Sequence, residues 1–334
     1  MNAIVKRLKT LVTAIAAIAL LAGCSQVASL ENNPWEVLSL PTETNFIDVA
    51  FTDNLERGWL VGDKATLLET TDQGETWELR RLELDNENIR LKSIDFSGRE
   101  GWIVGEPSLL LHTENGGQSW TRVQLSDKLP GEPNTIAALG PHSAEMTTDV
   151  GAIYRTKDDG QNWQSMVDEA FGVMRNISRS PEGKYVAVSS RGSFYSIWEP
   201  GQDAWQQYNR TSSRRVQNMG FDRDGHLWSL LRGGKIQFSA SEDPDDWQEP
   251  IYPEKATSWG LLDMAYRTSD EVWVAGGSAN LLCSFDGGKT WKKDRELESV
   301  PSNFYRIKFV RPDLGFVIGQ RGILLRYRGT SETA

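Results

Sequence analysis

The sequence predicts an all-β fold, a seven-bladed β-propeller closed by its own N-terminal strand. Three observations predict it. Seven of the 13 tryptophans, Trp35, Trp77, Trp120, Trp163, Trp205, Trp247 and Trp291, recur every 42–44 residues. One hairpin motif precedes four of them. Each period also holds four short β patterns, and a lone strand at the start matches one missing at the end. Four-stranded units of about 40–50 residues are the repeat of a propeller blade.

The N-terminus is read apart from the fold. Lys6, Arg7 and Lys9 form a basic region, and an apolar run follows from Leu11 to Leu21. The run is too short for a membrane span and reads as a signal peptide over 1–23. It ends Leu21-Ala22-Gly23-Cys24, the pattern of a bacterial lipobox, in which the cysteine receives a diacylglyceryl group and becomes residue one. Cys24 is therefore the expected lipidation site, 24–33 an expected lipidated tether, and 34–330 the expected propeller. Acyl chains contribute about 0.8 kcal/mol per buried CH₂, so a lipidated chain is held at a membrane. The only other cysteine is Cys283, in the apolar run from Asn280 to Ser284, and it is expected to be a buried structural thiol.

The repeated motif runs from Thr70 to Trp77, Thr113 to Trp120, Thr156 to Trp163 and Ser284 to Trp291, as Ser/Thr-x-Asp/Asn-x-Gly-x-Ser/Thr/Asn-Trp. An Asp or Asn side chain that bonds nearby N–H groups, followed by a glycine able to take positive φ, makes a hairpin turn. The Trp then opens the next strand and fills the space between units. The motif resembles the Asp-box of neuraminidase-type repeats. Within a unit the strands read 47–51, 58–62, 66–70 and 77–82, and the second unit repeats them at 93–96, 101–105, 108–112 and from Trp120. First strands fall near Phe51, Phe96, Leu139, Arg179, Phe221, Tyr266 and Phe309. A second aromatic series, Trp59, Trp102, Trp228, Trp273 and Phe316, skips the units at Glu145 and Tyr185. The last unit stops without its fourth strand, and the strand at Trp35–Leu38 has no unit before it. That strand is expected to complete the last blade and remove the open edges.

No catalytic constellation is legible. His112, His142 and His226 lie in three different units without metal-ligand spacing, so neither a metal nor a cofactor is expected. There is no phosphate loop, nucleophile elbow or isolated carboxylate pair. The alternative class is an exported glycan-binding or sialidase-like Asp-box propeller. Sialidases have six blades, an Arg-Ile-Pro segment and three arginines for a carboxylate. Here there are seven units, and the nearest match is Arg306-Ile307-Lys308.

Charge is more specific. Residues 170–235 carry ten cations, eight of them Arg, and five acids, in a chain of net charge −10. Arg191 and Arg232 stand in second-to-third-strand turns of the fourth and fifth units. Arg175 precedes a first strand, and Arg210, Arg214 and Arg215 lie in the connection to the next. Both kinds of segment emerge on one propeller face. Arg179 takes a first-strand position that is Phe or Tyr elsewhere and is expected at the channel mouth. Arg forks suit carboxylates and backbone carbonyls, so an acidic protein segment or acidic lipid is the expected partner. Nucleic acid is excluded by the acidic remainder and the export signal.

Together the lipobox, seven Asp-box-type units, opening Pro34-Trp35 strand, Gly-Trp-x-Val-Gly second strands and mid-chain arginines resemble the photosystem II stability/assembly factor family of cyanobacteria and chloroplasts. The resemblance implies a non-enzymatic, lipid-anchored thylakoid-lumen protein. It implies binding to the newly made reaction-centre core protein in precursor form and help with early assembly complexes. The family's arginine patch maps by motif and blade onto Arg175, Arg179, Arg191, Arg210, Arg214, Arg215 and Arg232.

Overall fold

The computed structural model describes residues 27–84, 88–210, 213–253 and 260–329. They form seven sheets, antiparallel except for one added parallel strand. The innermost strands, in blade order, are Phe46–Phe51, Arg90–Ser97, Pro133–Gly140, Met174–Arg179, Val216–Phe221, Leu261–Tyr266 and Phe304–Arg311, in all seven expected places. The second strands Gly58–Gly62, Tyr185–Ser189, Leu227–Leu231, Val272–Gly276 and Leu314–Gly319 are buried along their whole length. A strand covered on both faces by neighbouring blades needs apolar residues at every position, so alternation disappears.

The Asp-boxes are hydrogen-bonded turns. In blade 1 the Asp72 Oδ1 accepts from Thr76 N–H at 2.9 Å and from the Thr70 hydroxyl at 2.7 Å. The Trp77 indole donates to Gly74 O. Gly74 has φ +84°, and a Cβ there would strike the ring of Phe316 in blade 7. The turn is thus wedged against the neighbouring blade. In blade 6 the Thr290 hydroxyl and N–H hold the Asp286 carboxyl down at about 2. Blade 5 departs from the pattern. Its fourth strand survives only as bridges Ile236–Ile251 and Ser239–Trp247, because the Asp243-Pro244-Asp245-Asp246 segment has no glycine to close a box.

One regularity was not legible in the repeat. Every inner strand carries a bulge near its start, and the residue after it is Asp48, Ser93, Thr135, Asn176, Asn218, Asp263 or Arg306. Several of these polar residues tie one blade to the next. Asp48 accepts from Ile94 N–H, Asn218 donates to Leu262 O, and Asp263 accepts from Ile307 N–H. Arg306 and Lys308 stand 3.8 and 3.3 Å from Asp48 Oδ1, closing the circle. The match to a sialidase Arg-Ile-Pro therefore fails on chemistry as well, since these cations already serve carboxylates of the channel.

Closure is as expected. Trp35–Leu38 pairs antiparallel with Leu324–Tyr327. Part of the segment 24–33, expected as a tether, is paired: Ala28–Ser29 adds to blade 6 as a fifth, parallel strand beside Lys292–Lys293. Leu30 N–H donates to Lys293 O, and Arg295 donates to Val27 O. Cys24 lies outside the described residues.

Blade 6 also carries a testable cost. Asp294, beside the 3-10 turn Glu296–Ser299, is 1 % exposed, and burial pushes its carboxyl up to about 6. Its folded pKa lies above its unfolded value. Folding therefore takes up a proton between about pH 4 and pH 6, and stability falls as pH rises through that window. Asp294→Asn is expected to stabilise the protein by on the order of 2 kcal/mol at pH 7.5 and by little at pH 4. Urea unfolding at both pH values checks this; an equal effect at both would refute it.

Candidate partner-binding face

The blade geometry sorts the predicted arginines. The turns between second and third strands and the connections between blades emerge on one side of the disc; the Asp-boxes emerge on the other. Arg175 is the bulge residue of blade 4, between Met174 and Asn176. A bulge re-aims its side chain, and Arg175 bonds Ser190 O at 3.1 Å and Gln217 Oε1 at 3.0 Å. Arg191 stands next to Gly192, whose φ is +63° and where a Cβ would lie 2.2 Å from Val216 O. That turn is pressed against the inner strand of blade 5, which fixes where Arg191 points. Arg232 N–H donates to Arg215 O at 2.8 Å. Arg214 bonds Arg232 O and, with Lys235, lies over the ring of Tyr252. Arg210 is half-buried beside Tyr195, Val216 and Trp247.

Arg191, Arg215 and Arg232 are exposed and have no ion-pair partner among the described residues. The corresponding turns of blades 1–3 carry Asp63, Glu106 and Asp149 instead. These acids are engaged: Asp63 with Arg90 at 3.0 Å, Glu106 with Lys92 at 3.3 Å, and Asp149 with Glu132 N–H at 2.9 Å. The acids in these turns of blades 1–3 are engaged internally, while Arg191, Arg215 and Arg232, like Lys64 and Arg321 in the turns of blades 1 and 7, are exposed and have no ion-pair partner among the described residues. Val173 and Tyr252, 69 % and 39 % exposed, add apolar surface to the arginine half. Sequence reasoning missed both, because an isolated apolar residue carries no signal until its neighbours are known.

Arg179 is a correction. It ends the inner strand whose start holds Arg175, pairing with Tyr185 beside the opposite turn. Four residues at about 3.3 Å each separate it from Arg175 at the arginine face. Its guanidinium bonds Glu145 at 2.8 Å and lies over Tyr185. Glu145, fully buried, occupies the place that Trp59 and Trp102 fill in blades 1 and 2, pairing with third-strand Arg155 as they pair with Glu69 and His112. Burial alone would raise its carboxyl, but bonds from Arg155 and Arg179 hold it below the usual glutamate range. Arg179 is thus the counter-ion of a buried acid.

Two further expectations can be placed. Cys283 is fully buried, and burial pushes its thiol up to about 12. The histidines do not all stand apart as expected: His112 and His142 converge on Asp159, because residues of successive blades become neighbours whatever their sequence spacing.

The ring of seven blades, four of them with an Asp-box turn, is a propeller scaffold that carries a cluster of exposed arginines on one face. The family model described as photosynthesis system II assembly factor YCF48 matches residues 27–328, and the chain belongs to that family. It is 60 % identical over 325 residues to the photosystem II assembly lipoprotein Ycf48 of Trichormus variabilis, covering 97 % of this chain and 96 % of the relative. It is 60 % identical over 301 residues to the photosystem II assembly protein Ycf48 of Thermosynechococcus vestitus, covering 90 % and 86 %. A solved structure described as YCF48 bound to D1 peptide superposes with a TM-score of 0.90 at 57 % identity, covering 92 % of this chain and 98 % of that one. YCF48 from Cyanidioschyzon merolae gives 0.83 at 37 %, covering 88 % and 98 %. A virginiamycin B lyase from Staphylococcus aureus, at 10 % identity and TM-score 0.70, shares the fold alone.

Proposed function

We propose that this chain is a photosystem II assembly factor that holds a segment of the D1 reaction-centre protein against its arginine half-face, by binding and without catalysis. The observation that carries the reading is the set of exposed guanidinium groups of Arg191, Arg215 and Arg232, without ion-pair partners among the described residues and flanked by Arg175, Arg214 and Tyr252. It is supported by a relative with 57 % identity whose structure is described as bound to D1 peptide. Arginine forks grip carboxylates and carbonyls with paired bonds, and the exposed apolar groups admit the side chains between them. Newly made D1 in precursor form and early reaction-centre complexes are the partners this implies.

The reading includes the anchor. Relatives are named as lipoproteins, and Cys24 stands three residues before Val27, which is bonded to blade 6. Three residues reach about 10 Å, so the lipid would hold the outer edge of blade 6 at the lumenal surface of the thylakoid membrane. The parallel pairing of Ala28 with Lys292 brings the chain in from the Asp-box side. The arginine side stays open to a neighbour in the same membrane, and tethering raises its effective concentration. Cys24→Ser is expected to move the protein from the membrane to the soluble fraction.

Binding of a labelled D1 peptide, followed by fluorescence anisotropy in rising salt, tests the reading. Affinity is expected to fall about tenfold or more between 0.05 and 0.5 M salt, because exposed charge pairs are screened. Salt-independent binding, or none, would count against it.

A further inference from the structure

The Asp-box turns of blades 1, 2, 3 and 6 share a backbone but differ at their tips. The residue before the Asp or Asn is Thr71, Glu114, Lys157 or Phe285, and all four are exposed. Three are polar, as suits a solvated turn. The fourth presents an aromatic ring, 45 % exposed, to water. Gly287, next but one, has nothing within 4 Å of the place a Cβ would take, whereas its counterpart Gly116 in blade 2 faces Thr52 and Arg57 of blade 1 at 3.4 and 3.6 Å. The turn of blade 6 thus stands clear of its neighbours. Lys289 is exposed four residues on, and Lys292 Nζ lies 5.9 Å from the centre of the Phe285 ring.

The same blade receives the N-terminal chain. Ala28 pairs with Lys292, and Lys292 pairs with Cys283. Two strand spacings of about 4.8 Å put Ala28 roughly 10 Å across the sheet from Cys283. From that level both chains run to the Asp-box side, Cys283 forward to Phe285 and Ala28 back toward Cys24. Phe285 is about 7 Å further along at strand rise, and Cys24 lies within about 14 Å at full stretch. The ring therefore stands near the level at which acyl chains on Cys24 would enter a membrane.

Its chemistry suits that place. Aromatic rings favour the layer between lipid headgroups and acyl chains. Lysine stems lie along the same layer with the ammonium in water. The acids nearby do not oppose this. Asp286 is engaged by the hydroxyls of Ser284 and Thr290. Asp270 stays exposed, so the two lysines offset the two acids and the ring carries the contact.

We propose that Phe285, flanked by Lys289 and Lys292, is a second membrane contact, seating the Asp-box turn of blade 6 in the headgroup layer of the bilayer that holds the anchor. The inference rests on the reading of Cys24 as lipidated. A second contact restricts how the disc swings on its anchor. Blades 5 and 4 precede blade 6 around the ring, so a disc seated on this rim keeps the arginine cluster near the membrane yet uncovered.

The test uses the lipidated full-length chain in vesicles of phosphatidylcholine and phosphatidylglycerol that carry a doxyl-lipid quencher. The fluorophore NBD is attached at Phe285→Cys or, as the matching position of blade 3, at Lys157→Cys. Cys283 is fully buried and is not expected to react. Quenching at 285 is expected to exceed that at 157 by about twofold or more. A label at Lys289→Cys reads the part played by the ring itself: adding Phe285→Ser should cut quenching there by about half. Flotation of the protein with the vesicles checks the anchor separately. A chain that does not float refutes the anchor and this contact together. Flotation with equal quenching at 285 and 157, or with quenching at 289 unmoved by Phe285→Ser, overturns the contact and leaves the anchor standing.

Discussion

Reversing two charges, Arg191→Glu with Arg232→Glu, is expected to weaken D1-peptide binding by about 100-fold or more while the ring stays folded. A hydrogen bond to a charged group contributes about 1.5–3 kcal/mol, and 1.4 kcal/mol is a factor of ten in affinity. Losing two such contacts gives at least two powers of ten, and the introduced carboxylates then repel an acidic segment. Folding should be spared because both residues are exposed turn positions without ion-pair partners among the described residues. Surface changes of that kind stay within about 0.5 kcal/mol. Arg179→Glu separates the two effects. It leaves the buried Glu145 facing a like charge and should lower stability by about 3–5 kcal/mol, with binding retained by whatever fraction is folded. The two variants are compared by anisotropy for affinity and urea unfolding for stability. Undiminished binding in the double reversal would place the docking surface elsewhere on the disc.

The contrast between these variants marks how far the sequence could be read. Blade number, strand places and ring closure were legible because tryptophan is large, and a repeat that spends it on schedule leaves few alternatives. The sector rich in arginine was legible because charge is counted without geometry. What each arginine does was not. Arg175 and Arg179 lie four residues apart on one strand, yet one is a bulge residue at the arginine face and the other neutralises a buried acid at the far end. Only the cross-blade neighbour, Glu145, decides between those roles. That neighbour stands in a place where the aromatic series skips a unit. A gap in a tryptophan series is thus a usable signal, since some other group must fill the space. The histidines repeat the lesson. His112 and His142 looked unrelated by spacing, but adjacent blades turn a separation of 30 residues into a shared carboxylate.

Trp35→Ala is expected to lower stability by about 3–5 kcal/mol and the thermal midpoint by about 10 °C. Trp35 is 4 % exposed and sits at the seam of the ring, its indole 5.3 Å from Trp273 in blade 6 and 5.1 Å from Tyr327 in blade 7. Its Nε1 has no hydrogen-bond partner among the described residues, so the loss is one of apolar contact and of the cavity left behind. The Trp35→Phe variant should recover a large part of it. Position makes the effect spread. A blade's fourth strand elsewhere is linked to the third by a short connection, an Asp-box in blades 1, 2, 3 and 6, so a weakened contact re-forms locally. The strand at Trp35–Leu38 has no such hairpin, because its partner Leu324–Tyr327 lies at the opposite end of the chain, and re-forming the pair requires closure of the whole ring. Amide exchange should therefore quicken along Leu324–Tyr327 in Trp35→Ala more than along the third strand of any other blade. Faster exchange spread evenly over all seven blades would mean that the seam is no weaker than the rest. In that case stability resides in the blade-to-blade contacts, of which Asp48 with Ile94 and Asp263 with Ile307 are examples, and the closing strand only covers an edge.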